Sequence, residues 1–265
     1  MVKVLIVDDS HIAREMIATI LVTDPDVQVI GKVSNGREAI NFMNNQAIKP
    51  DIITTDINMP VMNGFELIEH VMAYYPVPIL IVTILNKEAN FMRALNLGAL
   101  DIIEKPPPSG WDQLPKVGIE IIEKVKLLSK VKVITHLRGK KSDSKPAVSG
   151  EVVIPKNSRR IVCIASSTGG PNTLLRFLKM FPRDFPVPFF IIQHMSEGFF
   201  ITGLVEWFRS SLALMVEEAS HHRLIQPGTV YISPIAKHLI VLPERMMLDD
   251  RPAVKNQKPS ADVLF

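Results

Sequence analysis

The chain is predicted to be α/β throughout, with a doubly wound (βα)5 domain first and a Rossmann-like α/β domain after it. Three observations carry that prediction. From Lys3 to about Ser129, short apolar runs alternate with segments of helical periodicity. Residues 130–157 are polar, charged and broken by Gly and Pro, as in THLRGKKSDSKPAVSG. From Arg159 the alternation of strand and helix patterns resumes.

In the first part, VLIV runs into Asp8 as the opening strand. Ser10 is a favoured N-cap for the helix IAREMIATILV, whose Ile12, Met16 and Ile20 fall at helical spacing and are expected to face the sheet. VQVIGKV reads as the second strand and GREAINFMNN as the second helix. DIITT leads into Asp56, and Asn63-Gly64 opens the helix FELIEHVMAYY. ILIV leads into Thr83, followed by a helix from Glu88 to Leu97 that Gly98 stops. DIIE leads into Lys105, and a fifth helix is expected from Trp111 past Lys126. Five strands and five helices of this size make one domain, residues 1–129.

Between Lys124 and Arg160 the chain carries eleven Lys or Arg and two acids, Asp143 and Glu151. Residues 130–157 therefore read as a basic, flexible linker; contact with an acidic partner is the sharper alternative. The second domain, 158–265, begins with the strand RRIVCIA and the turn SSTGGP. Pro171 suits the first turn of a helix continued by NTLLRFLKMF. PVPFFIIQH is a strand ending in His194, and EGFFITGLVEWFRSS an amphipathic helix. ALMVEEAS, PGTVYISP and KHLIVLP read as shorter strands, and SADVLF as an exposed apolar tail.

A length of 265 residues, 47% hydrophobic and 22% charged, suits two globular domains with buried cores. A net charge of +3 and the lack of a recognition-helix pair give no case for nucleic acid. The single cysteine, Cys163, excludes an internal disulfide and suits a reducing cytosol. It is expected at a buried strand position, without reactivity. The first apolar run is too short for a secretory signal, and no run approaches the ~20 apolar residues that span a bilayer. A cytoplasmic location without membrane insertion is expected.

Asp8, Asp9, Asp56, Thr83 and Lys105 each lie at the end of an apolar run. In a doubly wound sheet the carboxyl ends of the strands line one crevice, so these residues are expected to converge. Three carboxylates in one place repel unless a cation neutralises them, and a hard divalent ion such as Mg2+ takes oxygen ligands of this kind. Asp8, Asp9 and Asp56 are the expected metal ligands, with the Asn58 carbonyl as a further candidate. One carboxylate can then accept a phosphoryl group, steadied by an ammonium and a hydroxyl.

The segments LIVDDS, TTDINMPVMNG, IVT and EKP resemble the receiver domain of two-component response regulators. That resemblance implies Asp56 as phosphoacceptor, Asp9 as principal metal ligand with Asp8 beside it, and Thr83 and Lys105 as switch hydroxyl and phosphate-pairing lysine. Lys105-Pro106 matches the usual pair. The family's aromatic residue three places before the lysine is Ile102 here.

In CIASSTGGP two serines sit at a strand-to-helix junction, where main-chain N–H groups favour an anion. No Gly-Lys-Ser/Thr follows, so a nucleotide loop is the weaker reading. ASSTG approaches the G-x-S-x-G elbow, with Ala165 in the first glycine position. His194, at the end of the next strand, would lie on the same sheet edge and is placed to take a serine proton. His221 and His222 sit in a polar turn and His238 begins a late strand; all three are given mainly loop roles, and no Cys/His spacing suggests zinc.

ASSTGGP, PFFIIQHM, PGTVYISP with the nearby HL, and PSADVLF resemble the catalytic domain of the CheB chemotaxis methylesterases. The resemblance implies Ser167 as nucleophile and His194 as base, with Thr168 and Met195 adjoining. It implies hydrolysis of glutamate γ-methyl esters, and deamidation of glutamines, on methyl-accepting chemoreceptors. A chemotaxis histidine kinase would be the phosphodonor. The receiver would cover the esterase cleft until phosphorylated. Two departures stand out. Ser196 replaces the family's proline after His-Met. The Gly-Met-Gly-x-Asp-Gly segment that holds the triad acid does not occur, and Asp249, Asp250 and Asp262 do not match it. The catalytic domain is therefore expected to be C-terminally truncated and incomplete. The alternative is a phosphoacceptor and receptor-binding protein without esterase activity.

Overall fold

The apolar runs become strands of a parallel sheet whose central members are buried on both faces, while the outer strand over Val27–Val33 is largely half-buried. β1 (Val2–Val7), β2 (Val27–Val33), β3 (Ile52–Thr55), β4 (Ile79–Thr83) and β5 (Asp101–Glu104) pair in parallel in the order β2-β1-β3-β4-β5. The intervening helices are α1 (His11–Leu21), α2 (Gly36–Asn45), α3 (Gly64–Tyr74), α4 (Glu88–Leu97) and α5 (Leu114–Leu128). This is a computed structural model, and it describes residues 1–45, 49–84, 88–105, 114–133, 160–194 and 201–265. The strand order reverses between β1 and β3, so the ends of those two strands flank the crevice where doubly wound sheets bind ligands.

Val4, Ile6, Ile52, Leu80, Val82 and Ile103 pack against Ile17, Leu21, Ile121, Val125 and Leu128. Burying each such side chain contributes roughly 1.5–3 kcal/mol. The α1 face differs from expectation. Ile17, Ala18 and Leu21 are the buried positions, Met16 and Ile20 are partly buried at the core edge, and Ile12 is 67% exposed. The helix shares its flank with α5, where Gly118 approaches Ile20, so the stripe is rotated toward that neighbour. Ser10 caps α1 by accepting the Ala13 N–H at 3.3 Å. At α3, Asn63 and Glu66 form a reciprocal capping box.

The backbone divides into two compact units, Met1–Lys140 and Lys141–Phe265. The second unit holds β6 (Val162–Ser166), α6 (Gly170–Leu178), β7 (Phe189–Gln193), α7 (Ile201–Ser211), β8 (Met215–Glu218), β9 (Thr229–Ile232), β10 (His238–Val241), β11 (Met246–Asp249) and α8 (Ala261–Leu264). Four strands form a parallel sheet in the order β6-β7-β9-β8, and β10 and β11 form an antiparallel pair. β11 has no counterpart among the strands expected from the sequence. Phe190, Ile192, Tyr231, Leu239, Met246 and Leu264 make one core cluster.

Leu264 thereby corrects the expectation for SADVLF. The segment folds as α8 with Leu264 buried, and only Phe265 among its apolar residues is strongly exposed. Cys163, on β6, is half-buried, and burial pushes its thiol pKa up, which keeps it protonated and unreactive. The start of the fifth helix at Trp111, Pro106, residues 134–157 of the linker and Met195 lie outside the described residues. Among the described residues, no helix is long and apolar enough to cross a membrane.

Candidate active sites

The end of β1 delivers Asp8 and Asp9, β3 delivers Asp56, β4 ends in Thr83 and β5 leads into Lys105. All five are brought together. Asp56 Oδ1 accepts the Thr83 hydroxyl at 2.5 Å and the Ile57 and Asn58 N–H groups at 2.5 and 3.4 Å. Asp56 Oδ2 lies 2.6 Å from Lys105 Nζ, which also stands 2.5 Å from Asp8 Oδ2. Asp8, Asp56, Thr83 and Lys105 are buried, and Asp9 is exposed. One buried ammonium therefore bridges two carboxylates in a site largely closed to water.

The carboxylate oxygens of Asp8, Asp9 and Asp56 can all lie within 4.8 Å of one another. An all-oxygen donor set with one exposed member fits a hard divalent cation that keeps some of its waters. Burial pushes the Asp8 pKa up, against the hydrogen bond and charge of Lys105; the neighbouring Asp56 charge adds to the rise. Unneutralised negative charge is thus costly at Asp8, which is what a bound cation relieves. Arg14, from α1, donates to the Asp8 and Asp9 carbonyls at 2.5 and 3.0 Å and secures the backbone of both. Gly64 is needed for a different reason. A Cβ there would fall 2.2 Å from the Asp56 carbonyl oxygen, so only glycine lets α3 start this close to the loop that follows β3. Ile102, where receivers carry an aromatic, is fully buried on β5.

At the second site, β6 and β7 pair in parallel with Ser166 opposite Gln193. Ser167 and His194 follow directly, at the same edge, and the His194 N–H donates to the Ser166 carbonyl at 2.8 Å. Ser167 is exposed; Thr168 and His194 are half-buried. Among the described residues no hydrogen bond joins Ser167 Oγ to His194. The His194 ring is engaged elsewhere: Nε2 lies 2.8 Å from the Pro259 carbonyl oxygen. Asp249, Asp250 and Asp262 pair with Arg251, Lys237 and Lys255 and take no part.

Gln193, which sequence reasoning passed over, and His238, whose role it misjudged, organise this edge. Gln193, 2% exposed, accepts from Ser166 Oγ at 2.7 Å and donates to the Ser167 and His194 carbonyls at 2.9 and 2.8 Å. Its signal was a lone amide closing the apolar strand FFIIQ. Gly170 makes room for it, since a Cβ there would meet Gln193 Oε1 at 2.2 Å. His238 begins β10, as the sequence places it, but its expected loop role is corrected: it is fully buried, and its two ring nitrogens contact the Ser260 N–H and the Pro252 carbonyl oxygen at 3.1 and 3.2 Å.

The receiver family model, described as the response regulator receiver domain, matches residues 4–110, and the CheB methylesterase model matches residues 162–265. The chain is 37% identical to protein-glutamate methylesterase/protein-glutamine glutaminase 2 of Anaeromyxobacter dehalogenans, an alignment covering 100% of this chain and 74% of that protein. It is 38% identical to protein-glutamate methylesterase/protein-glutamine glutaminase 1 of Syntrophus aciditrophicus, over 90% of this chain and 69% of that one. The protein-glutamate methylesterase/protein-glutamine glutaminase of Bacillus licheniformis is 36% identical, over 100% of this chain and 77% of its own length. With a receiver site at the first sheet edge and a serine–histidine edge in the second unit, the chain belongs to the CheB family of protein-glutamate methylesterases/protein-glutamine glutaminases.

Proposed function

We propose that the chain removes methyl groups from glutamate γ-methyl esters, and ammonia from glutamines, on methyl-accepting chemoreceptors, under control of phosphorylation at Asp56. The observation that carries this reading is the register of β6 and β7, which leaves Ser167 and His194 adjacent at one sheet edge. Ser167 Oγ attacks the ester carbonyl carbon while His194 takes its proton. The tetrahedral oxyanion forms near the amino end of α6, where the helix dipole favours negative charge. Collapse breaks the carbon–methoxy bond, His194 returns the proton to the leaving oxygen, and methanol departs. Water then attacks the acyl-serine through the same histidine and releases glutamate. In deamidation the leaving group is ammonia. Thr168 and Met195 adjoin the reacting serine and histidine.

In the receiver, Asp56 attacks the phosphorus of a phosphodonor, a chemotaxis histidine kinase in the cell. The P–O bond to Asp56 forms as the donor's bond to phosphorus breaks. Mg2+, held by Asp8, Asp9 and Asp56, would neutralise the charge that gathers there. Lys105 exchanges its carboxylate contact for a phosphoryl oxygen, and Thr83 turns its hydroxyl toward another. Domain limits of 1–129, 130–157 and 158–265 are part of this proposal, as is a cytoplasmic site of action. The test is methanol release from methylated receptor. Wild type releases methanol and Ser167→Ala does not; equal rates for the two remove the esterase reading.

A further inference from the structure

His194 is the one group of the proposed hydrolytic pair whose ring is already engaged, and its partner is unusual. That partner is a main-chain carbonyl, from Pro259, at 2.8 Å. A carbonyl oxygen only accepts, so the contact leaves the proton on Nε2 and frees the other ring nitrogen to receive one. Pro259 precedes Ser260, and both are buried although α8 beyond them has a single turn. Among the described residues, His238 ties this segment down. Its Nδ1 accepts the Ser260 N–H at 3.1 Å, and its Nε2 donates to the Pro252 carbonyl at 3.2 Å. The two bonds fix one tautomer of His238, because Nδ1 must be bare to accept. They also tie two points of the 252–260 segment to the fully buried first residue of β10.

We propose that His238 is a positioning residue for His194, acting through the main chain of Ser260 and Pro259 to hold the imidazole in one orientation and one tautomer. This rests on the reading of His194 as the base. The carbonyl takes the place that an orienting acceptor occupies beside a catalytic histidine. It stabilises the ring as it gains positive charge, and it prevents the ring from turning its N–H toward the serine.

Two substitutions separate this role from bulk packing. In His238→Asn the amide oxygen can occupy the Nδ1 position and accept from Ser260. In His238→Gln the amide reaches the Nε2 position, keeps the Pro252 bond and loses the Ser260 bond. The primary readout is the side-chain 15N spectrum of the full-length protein, with the His194 signals assigned by their loss in His194→Gln. Wild type and His238→Asn show His194 as the Nε2–H tautomer, and His238→Gln shows a mixture. Methanol release follows: His238→Gln lowers kcat about 10- to 100-fold with KM within about twofold, and His238→Asn restores it to within about threefold of wild type. A wild-type His194 in the other tautomer overturns the proposal even if a variant fails to fold. So do identical His194 signals in wild type and folded His238→Gln. If the signals behave as expected but wild type releases no methanol, the esterase reading falls and the positioning role stands.

Discussion

At Asp8, burial and charge oppose each other, and that opposition is testable. The raised pKa means that native protein binds a proton there more tightly than the unfolded chain does. The contribution to metal-free stability is therefore full below the unfolded carboxylate range and lost as pH rises through the raised value. Near neutral pH, Asp8→Asn removes a buried charge while Lys105 keeps Asp56 as partner. It is expected to raise the metal-free Tm by roughly 3 °C and to abolish the further rise that Mg2+ gives wild type, read by calorimetry with and without the cation. Gln193 offers a second residue-scale test. Gln193→Met keeps the volume but drops both bonds that tie the Ser167 and His194 carbonyls together. About a 100-fold fall in kcat is expected, with the circular dichroism spectrum retained. The convergence of Asp8, Asp9, Asp56, Thr83 and Lys105 was legible because each lies at the end of an apolar run. Gln193 and His238 were not, since their meaning lies in partners far along the chain, the Ser167 carbonyl and the Ser260 N–H.

Elements with a strong period were legible to their ends. β2, α2 and α4 match the segments VQVIGKV, GREAINFMNN and Glu88–Leu97. The buried face of α1 was not, because Ile12, Met16 and Ile20 also satisfy helical spacing, and only the position of α5 selects Ile17 and Leu21 instead. β11 escaped because MMLD lacks β-branched residues, and its pairing with β10 supplies what propensity does not. The loop between β3 and α3 carries its own strain. Val61 has φ +67° and is 83% exposed, a left-handed conformation that costs a β-branched residue. Val61→Gly is expected to stabilise the protein by about 1 kcal/mol in urea unfolding. Gly64→Ala is expected to do the reverse, by about 2 kcal/mol or more, and to slow labelling of Asp56 by acetyl phosphate, because the added methyl displaces the Asp56 carbonyl.

For the molecule as a whole, two chemistries share one chain. In the proposed function a buried carboxylate in the first unit gains charge, and a serine–histidine edge in the second cleaves an ester. On the proposed reading, phosphorylation would turn Asp56 from a partner of Lys105 and Thr83 into the support of a dianion that recruits both, a change of packing as well as of charge. The order of the two domains was legible from the apolar periodicity and the basic stretch between them. The tie from His194 to the 252–260 segment was not, because it joins a ring nitrogen to a main-chain carbonyl 65 residues away. The most direct test of the coupling is the rate of methanol release from methylated receptor by the full-length chain, with Mg2+, before and after adding acetyl phosphate. The account predicts a rise for wild type and none for Asp56→Asn, whose unstimulated rate persists. A wild-type rate that does not change while Asp56 becomes phosphorylated would contradict it.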